Sequence, residues 1–200
     1  MRRRVAILLF DDVEVLDFAG PYEVFAVTDE LSGGTDFDTF TVAEVPGTIR
    51  ARHGLKVTPD HTLESAPDPQ VLIVPGGAGT RALLRKPSLL EWVRRCGTSA
   101  EAVASVCTGA LVLGRAGLLE GLTATTHRDS FDELRAIAPN TQVLENVRFT
   151  DHGRILTAAG ISAGLDVSLH LVARLLGAGT AERTAAYMEY HWRNDGGVTR

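Results

Sequence analysis

The chain has 200 residues, 44% of them hydrophobic and 22% charged, which suits one α/β domain with a sizeable core and is tight for two. Twenty basic against 25 acidic side chains leave a net charge of -5, so the broad positive field of a nucleic-acid or anionic-membrane binder is missing, and the short cluster Arg2-Arg3-Arg4 does not reverse that. The two cysteines, Cys96 and Cys107, show neither a C-x-x-C pair nor zinc-like Cys/His spacing, which argues against a disulfide scaffold and a structural metal; no metal or organic cofactor is indicated.

The first apolar run, Val5 to Phe10, is cut short by Asp11 and Asp12, unlike a signal peptide, and no other run approaches the roughly 20 apolar residues of a membrane span. A cytoplasmic protein is therefore expected. The run itself reads as a strand buried on both faces of a mostly parallel sheet. A helix fits Leu16 to Thr28. Residues 38 to 58 alternate apolar and polar positions, with Pro46-Gly47 and His53-Gly54 as punctuation, and predict strand and hairpin structure at a sheet edge.

Val71-Leu-Ile-Val74, closed by Pro75-Gly76-Gly77, predicts a second buried strand, and Ser88 to Arg95 a helix. Ala102-Val-Ala-Ser-Val106 predicts a third strand running into Cys107, followed by a helix over Thr108 to Leu119. After the short segment Thr123-Ala-Thr-Thr126 come a helix over Ser130 to Ala138 and a strand at Ile155-Leu-Thr-Ala158. A last helix covers Ser162 to Leu176, with Ser162 as its N-cap and Leu165, Leu169, Val172 and Leu176 as its apolar stripe. The segment Tyr187 to Trp192 is expected to pack on the core or on a partner subunit. Strands separated by helices in this order indicate repeated βαβ units.

Cys107 stands where a buried strand gives way to a helix. That is the logic of a nucleophile elbow, in which a sharp turn lifts the side chain above the sheet and frees backbone N–H groups to bind an anion. Gly109 suits the close contact of such a turn, although Ser105 replaces the usual glycine two positions before the cysteine. The helix N-terminus is expected to favour thiolate. The competing reading is a small buried apolar cysteine; Cys96, on an Arg-rich helix, receives no role.

In an open α/β sheet, ligands bind beyond the carboxyl ends of the strands. Asp17, Gly76-Gly77, Cys107, His127 and Gly160 each follow a strand or strand-like segment, so five loops are expected to converge on one rim. Glu14 and Asp17 share a helical face. Glu14 is explained as a residue favoured by the helix dipole, whereas Asp17 lies in the apolar stretch Val15-Leu16-Asp17-Phe18-Ala19-Gly20-Pro21, where a raised pKa would equip it to donate a proton. The backbone N–H groups of Gly76 and Gly77 are expected to face an oxyanion. Gly77, Gly79, Ala82 and Glu101 also match a variant dinucleotide fingerprint, but after a middle strand, which argues against nucleotide binding. His170 is expected to be a packed or interface residue, and His53, His61, His152 and His191 are assigned no chemistry.

From Val5 through Tyr190 the sequence resembles the DJ-1/PfpI superfamily, within the class I glutamine amidotransferase-like fold. The resemblance is carried by Val15-Leu-Asp-Phe-Ala-Gly-Pro-Tyr-Glu-Val-Phe25, Leu72-Ile-Val-Pro-Gly-Gly77, Ser105-Val-Cys-Thr-Gly-Ala110, Gly117-Leu-Leu-Glu-Gly121, Ala124-Thr-Thr-His127, Thr157-Ala-Ala-Gly-Ile-Ser162 and Gly164-Leu-Asp166. It implies a flavodoxin-like three-layer α/β sandwich with a mostly parallel sheet and a nucleophile elbow, forming one domain over 1–200 with its core at about 4–190. It also implies a homodimer acting on a small-molecule substrate, without nucleic acid or membrane.

The His that peptidase members carry after the nucleophile is Thr108 here, and the His-x-Glu pair of glutaminase domains is replaced by Gly160-Ile161-Ser162. The chain is most similar to the isonitrile hydratase branch, which implies that Cys107, Asp17 and Thr108 act together. In the implied reaction the Cys107 thiolate attacks the terminal carbon of an isonitrile and Asp17 delivers a proton, giving a thioimidate that water opens to an N-substituted formamide. Thr108 would orient the intermediate or water, Gly76, Gly77 and Gly160 would line the site, and His127 would tune it. AraC-type regulators share the Asp and Cys-Thr-Gly surroundings but add a C-terminal helix-turn-helix, for which this chain is expected to end too soon. Two alternatives stay open: glyoxalase- or deglycase-like chemistry on 2-oxoaldehydes, and a non-catalytic sensor whose Cys107 oxidises.

Overall fold

The computed structural model describes residues 2–193 and 197–199. In chain order the elements are β1 Arg3–Leu8, α1 Val15–Leu31, β2 Phe37–Ala43, β3 Ile49–Arg50, β4 Lys56–Val57, β5 His61–Thr62, β6 Val71–Val74, α2 Thr80–Leu83, α3 Pro87–Ser99 and β7 Ala102–Val106. They continue with α4 Gly109–Arg115, β8 Thr123–Ala124, α5 Phe131–Ile137, β9 Gln142–Val143, β10 Phe149–Asp151, β11 Ile155–Ala158, α6 Ala163–Leu176, α7 Ala178–Tyr187 and β12 Gly197–Thr199.

The main sheet has the order β12-β10-β11-β7-β6-β1-β2-β5. From β11 to β5 every neighbouring pair is parallel, and β10 and β12 run opposite to the rest. Helices α1, α6 and α7 pack together against one face, and α2 to α5 form the layer on the other. Apart from Arg3 and Arg4 at the start of β1, the four middle strands β1, β6, β7 and β11 are fully buried and, but for Ser105 and Thr157, apolar, because both their faces are covered. Reading across β2, β1, β6, β7 and β11 gives the flavodoxin-like order, with its topological switch between β1 and β6. Asp17 follows β1 and Gly76 follows β6, so the switch point sits directly beneath both.

Several boundaries differ from the sequence expectation for identifiable reasons. The helix after Cys107 ends at Arg115 rather than Leu119, because Gly117 turns left-handed at φ 79° and Leu118 N–H closes back on the Leu113 carbonyl. Ser162 sits at the start of α6 but makes no side-chain cap, since its hydroxyl lies against the Arg148 guanidinium. Residues 38 to 58 yield β2, second from the edge of the main sheet, and a separate antiparallel β3–β4 hairpin. Helix α7 went unpredicted because it packs through small residues, Ala181, Thr184 and Ala185, with the Thr184 hydroxyl 3.0 Å from that of Thr28 on α1. Met188, Tyr190 and Trp192 then pack on the core. Among the described residues no helix is long and apolar enough to cross a membrane.

Candidate active site

The turn after β7 has the strained geometry expected of an elbow. Cys107 takes φ 56°, a left-handed conformation uncommon outside glycine that costs on the order of 1–3 kcal/mol. Its surroundings over-determine it: its N–H reaches the carbonyls of Ala158 and Ala159 at 3.1 and 3.0 Å, and its carbonyl accepts the buried Thr126 hydroxyl at 2.8 Å. Gly109 must be glycine because a Cβ there would run into the Val74 carbonyl. Thr126 was not singled out as a site residue in the sequence; its place in Ala124-Thr-Thr-His127, directly before the candidate His127, is a signal that could have pointed to it.

Asp17, in the first turn of α1, is wholly buried beside this turn, and Cys107 is 6% exposed. Asp17 Oδ2 accepts the Gly76 N–H at 3.0 Å, while Oδ1 is sealed from water with no nitrogen or oxygen donor on it among the described residues. Gly76 fills the gap between acid and thiol. A Cβ on it would stand 2.5 Å from Thr108 N and 2.8 Å from both Asp17 Oδ2 and Cys107 Cβ, so only glycine fits.

The electrostatics follow from this burial. Desolvation, helped by the nearby Glu14 charge, raises Asp17 to about 7 against the lowering effect of the Gly76 N–H and the Cys107 thiol. Desolvation and then the Asp17 charge push Cys107 up to about 12, although the backbone groups of Thr108 and Ile161 work in the opposite direction. The expectation that the helix N-terminus yields a resting thiolate is thus corrected. The α4 terminus is outweighed by burial next to a carboxyl, and near neutral pH the pair is a thiol beside a half-ionised acid.

Two further expectations change. The Gly76 and Gly77 N–H groups do not face an open oxyanion position, because Gly76 donates to Asp17 and Gly77 donates to Thr108 Oγ1 at 2.9 Å. The Thr108 hydroxyl is likewise committed, donating to the Gly77 carbonyl at 3.1 Å with the Thr80 hydroxyl at 3.3 Å. These residues hold the acid and the elbow in place. The groups whose backbone faces the sulfur are Thr108 and Ile161. Ile161, with φ 49°, belongs to the family-like segment Thr157 to Ser162, but no site role is expected of it from the sequence.

A cleft of about 270 Å3 opens onto the thiol, lined by Cys107, Thr108, Gly77, His127, Ile161 and a rim that includes the Arg52–Glu14 ion pair. His127 Nδ1 lies 3.3 Å from the Asp129 N–H and 3.6 Å from the Asp129 carboxylate, and its ring edge rests on Gly160. All five predicted loops therefore meet at one rim. Three other histidines are held in place structurally: His170 pairs with Asp151 at 2.7 Å and lies against Phe149, His152 binds Thr123, and His61 meets Phe40 edge-on, while His53 and His191 are exposed. Among the described residues, no group of three or more His, Cys, Asp or Glu side chains is disposed to hold a metal ion.

Comparison with known proteins places this geometry in context. The sequence model of the DJ-1/PfpI family matches residues 3–174. The isonitrile hydratase of Pseudomonas putida is 36% identical over 193 residues, covering 95% of this chain and 79% of that protein. The HTH-type transcriptional regulator GbdR of Pseudomonas aeruginosa is 26% identical over 85% of this chain, which spans 46% of the regulator. The crystal structure of a ThiJ/PfpI family protein from Pseudomonas syringae superimposes with a TM-score of 0.86 at 30% identity, covering 96% of this chain and 77% of the other.

Proposed function

Because the chain belongs to the DJ-1/PfpI family, we propose that it is an isonitrile hydratase-like enzyme in which Cys107 is the nucleophile and Asp17 the acid–base. The observation that carries this reading is the buried Asp17 carboxyl beside the Cys107 thiol, with no histidine between them to serve a hydrolytic triad. The 36% identity to an isonitrile hydratase supports the same chemistry.

The protonation states define the steps. The resting thiol keeps its proton, so ionised Asp17 takes it as the sulfur bonds to the terminal isonitrile carbon, and the same carboxyl returns it to that carbon. The product of this addition is a thioimidate, R–N=CH–S–Cys107. Water then adds across the C=N bond, the C–S bond breaks, and R–NH–CHO leaves with the thiol restored; one water is consumed and no redox change occurs. Backbone N–H groups of Thr108 and Ile161, turned toward the sulfur, stabilise charge as it builds there. Gly76, Gly77 and Thr108 act by fixing the two reacting groups, His127 borders the cleft, and Gly160 sits behind its ring. The reading carries with it a cytoplasmic homodimer that takes a small-molecule substrate.

The same thiol and acid suit an attack on a 2-oxoaldehyde, and a redox sensor would need an easily ionised cysteine, which a thiol pushed up to about 12 is not. Offering the protein cyclohexyl isonitrile and methylglyoxal side by side separates the readings. Formamide formation from the isonitrile supports the hydratase. Consumption of methylglyoxal alone replaces it with the glyoxalase-like alternative, and turnover of neither substrate, with peroxide oxidation confined to Cys107, replaces it with the sensor.

A further inference from the structure

The β3–β4 hairpin lies outside the main sheet and is fastened instead to the loop between β1 and α1. Asp12 N–H donates to the Arg50 carbonyl at 2.8 Å, Arg50 N–H to the Asp11 carboxylate at 2.7 Å, and Arg52 N–H to the Val13 carbonyl at 2.9 Å. The left-handed His53 and Gly54 turn the chain back directly after Arg52. These contacts bring the Arg52 guanidinium to the wall of the cleft that holds the sulfur, where its Nη1 donates to Glu14 Oε2 at 2.9 Å. Glu14 stands one helical turn before Asp17. Its N–H is fixed on the carbonyl of Gly76 at 2.9 Å, and the N–H of that same glycine binds the Asp17 carboxyl. The Glu14 side chain is only 14% exposed, so its charge is poorly screened; that of Arg52, 45% exposed, acts more weakly. Glu14 opposes a negative charge on Asp17 and Arg52 favours it. Other charged groups are engaged elsewhere. The Cys107 thiol keeps its proton, and on α6, packed along α1, Asp166 is tied to Arg148 while His170 and Arg174 are tied to Asp151. Helix α7 meets α1 at Thr28, toward its other end. Arg81 and Asp129, on the same cleft, are held by Glu133 and by His127 and Arg128 respectively.

We propose that Glu14 and Arg52 are positioning residues that act through Asp17, Glu14 holding the proton on it and Arg52 drawing the proton off, so that the hairpin sets the pH at which the acid turns into the base. That the proton serves isonitrile addition rests on the hydratase reading; the coupling among the three side chains does not. Glu14 is then more than a residue suited to a helix N-terminus, and the hairpin is the element that delivers its counter-charge.

The test follows the Asp17 carboxyl by carbon NMR from about pH 4 to about pH 9 in protein isotope-labelled at its aspartate carboxyl carbons, with the Asp17→Asn spectrum identifying the signal. Beside it is set the pH dependence of kcat/KM for cyclohexyl isonitrile. Arg52→Gln is expected to raise both midpoints by about half a pH unit or more, and Glu14→Gln to lower them by about as much or more. The protein carrying both substitutions should fall between the two. Arg52→Lys keeps the charge and should stay near the parent. None of these changes touches the backbone hydrogen bonds that hold the hairpin, and a merely structural pair would lower thermal melts while moving the two midpoints alike or not at all. Opposite shifts in the single variants, with rescue by lysine, uphold the proposal. Any other pattern, including a change in KM while the NMR midpoint stays put, overturns it and leaves the hydratase intact. If the parent turns over no isonitrile, the hydratase reading fails, and the NMR midpoints alone decide by the same criteria whether the pair governs Asp17.

Discussion

Asp17 and Cys107, one from the first turn of α1 and the other from the end of β7, face each other across Gly76, whose missing side chain is what lets them meet. The N–H of that glycine is bonded to the acid, and its Cα faces the turn that carries the thiol. The carboxyl is wholly buried and the thiol nearly so, and burial makes both harder to charge, the Asp17 charge adding to this for Cys107.

Burial of Asp17 has a cost that depends on pH. In the folded protein it keeps its proton up to about 7, whereas unfolded it ionises near 3.8. Between those values the folded state binds more protons than the unfolded one, so this group makes stability fall as pH rises through the window and leaves it lowered above 7. Asp17→Asn keeps an acceptor for the Gly76 N–H and carries no charge. It is expected to exceed the parent in stability by roughly 2–4 kcal/mol at about pH 8, the gain shrinking toward zero near pH 4. Urea denaturation at the two pH values measures this, and equal stabilities at the higher one would contradict the burial argument.

A mechanism that begins with Asp17 as base predicts that kcat/KM rises about tenfold per pH unit below 7 and levels off above it. A rate already flat between about pH 4 and 6 would remove Asp17 from the proton transfer.

Thiol reactivity gives an independent reading of the pair. With Cys107 pushed up to about 12, alkylation of that residue should be slow near neutrality and keep accelerating into strongly alkaline solution. Asp17→Asn removes the second cause of the raised value, so Cys107 should react at least severalfold faster in that variant near pH 8. The check is peptide mass spectrometry after a timed iodoacetamide pulse; equal rates in parent and variant would show that the two groups do not sense each other.

Gly76 and Gly160 separate a rigid constraint from a soft one. A methyl on Gly76 meets Thr108 backbone, which cannot swing aside, whereas one on Gly160 meets the His127 ring edge at 2.5 Å. Gly76→Ala is expected to lose about a hundredfold or more in kcat, and Gly160→Ala roughly tenfold or less, because a partly exposed side chain can turn. Similar losses in both would place the fragile contact elsewhere.

The two-way bond between Thr108 and Gly77 yields a stability prediction. Thr108→Val leaves the buried Gly77 N–H without its acceptor and should cost about 1–3 kcal/mol, while Thr108→Ser should recover most of that. Equal destabilisation in both variants would mean that the methyl group, rather than the hydroxyl, is what the site needs.

Much of this arrangement could be read from the chain because the informative signals are local. Continuous apolar runs mark strands buried on both faces, and Gly76-Gly77, Cys107 and Gly160 stand at or just past the ends of such runs, so the fold and the meeting of these loops at one rim follow together. What stayed hidden depends on backbone direction. Whether the Gly76 and Gly77 N–H groups point at a ligand or at Asp17 and Thr108 is set by the turn after β6, and no residue type announces it. The backbone of Ile161 faces the sulfur only because β11 lies parallel to and beside β7, a pairing with no local mark. Helix α7 is joined to the core through alanines and a threonine and has no run of large apolar residues to mark it. The protonation of Cys107 was misjudged from the helix terminus alone, since burial beside a carboxyl outweighs a short helix.

The most direct measurement is formamide release from cyclohexyl isonitrile by the parent, Cys107→Ala and Asp17→Asn, followed under one set of conditions at about pH 8. The account predicts steady turnover by the parent, none by Cys107→Ala, and at most about one part in a hundred by the folded Asp17→Asn protein. Parental rates in either variant would contradict it.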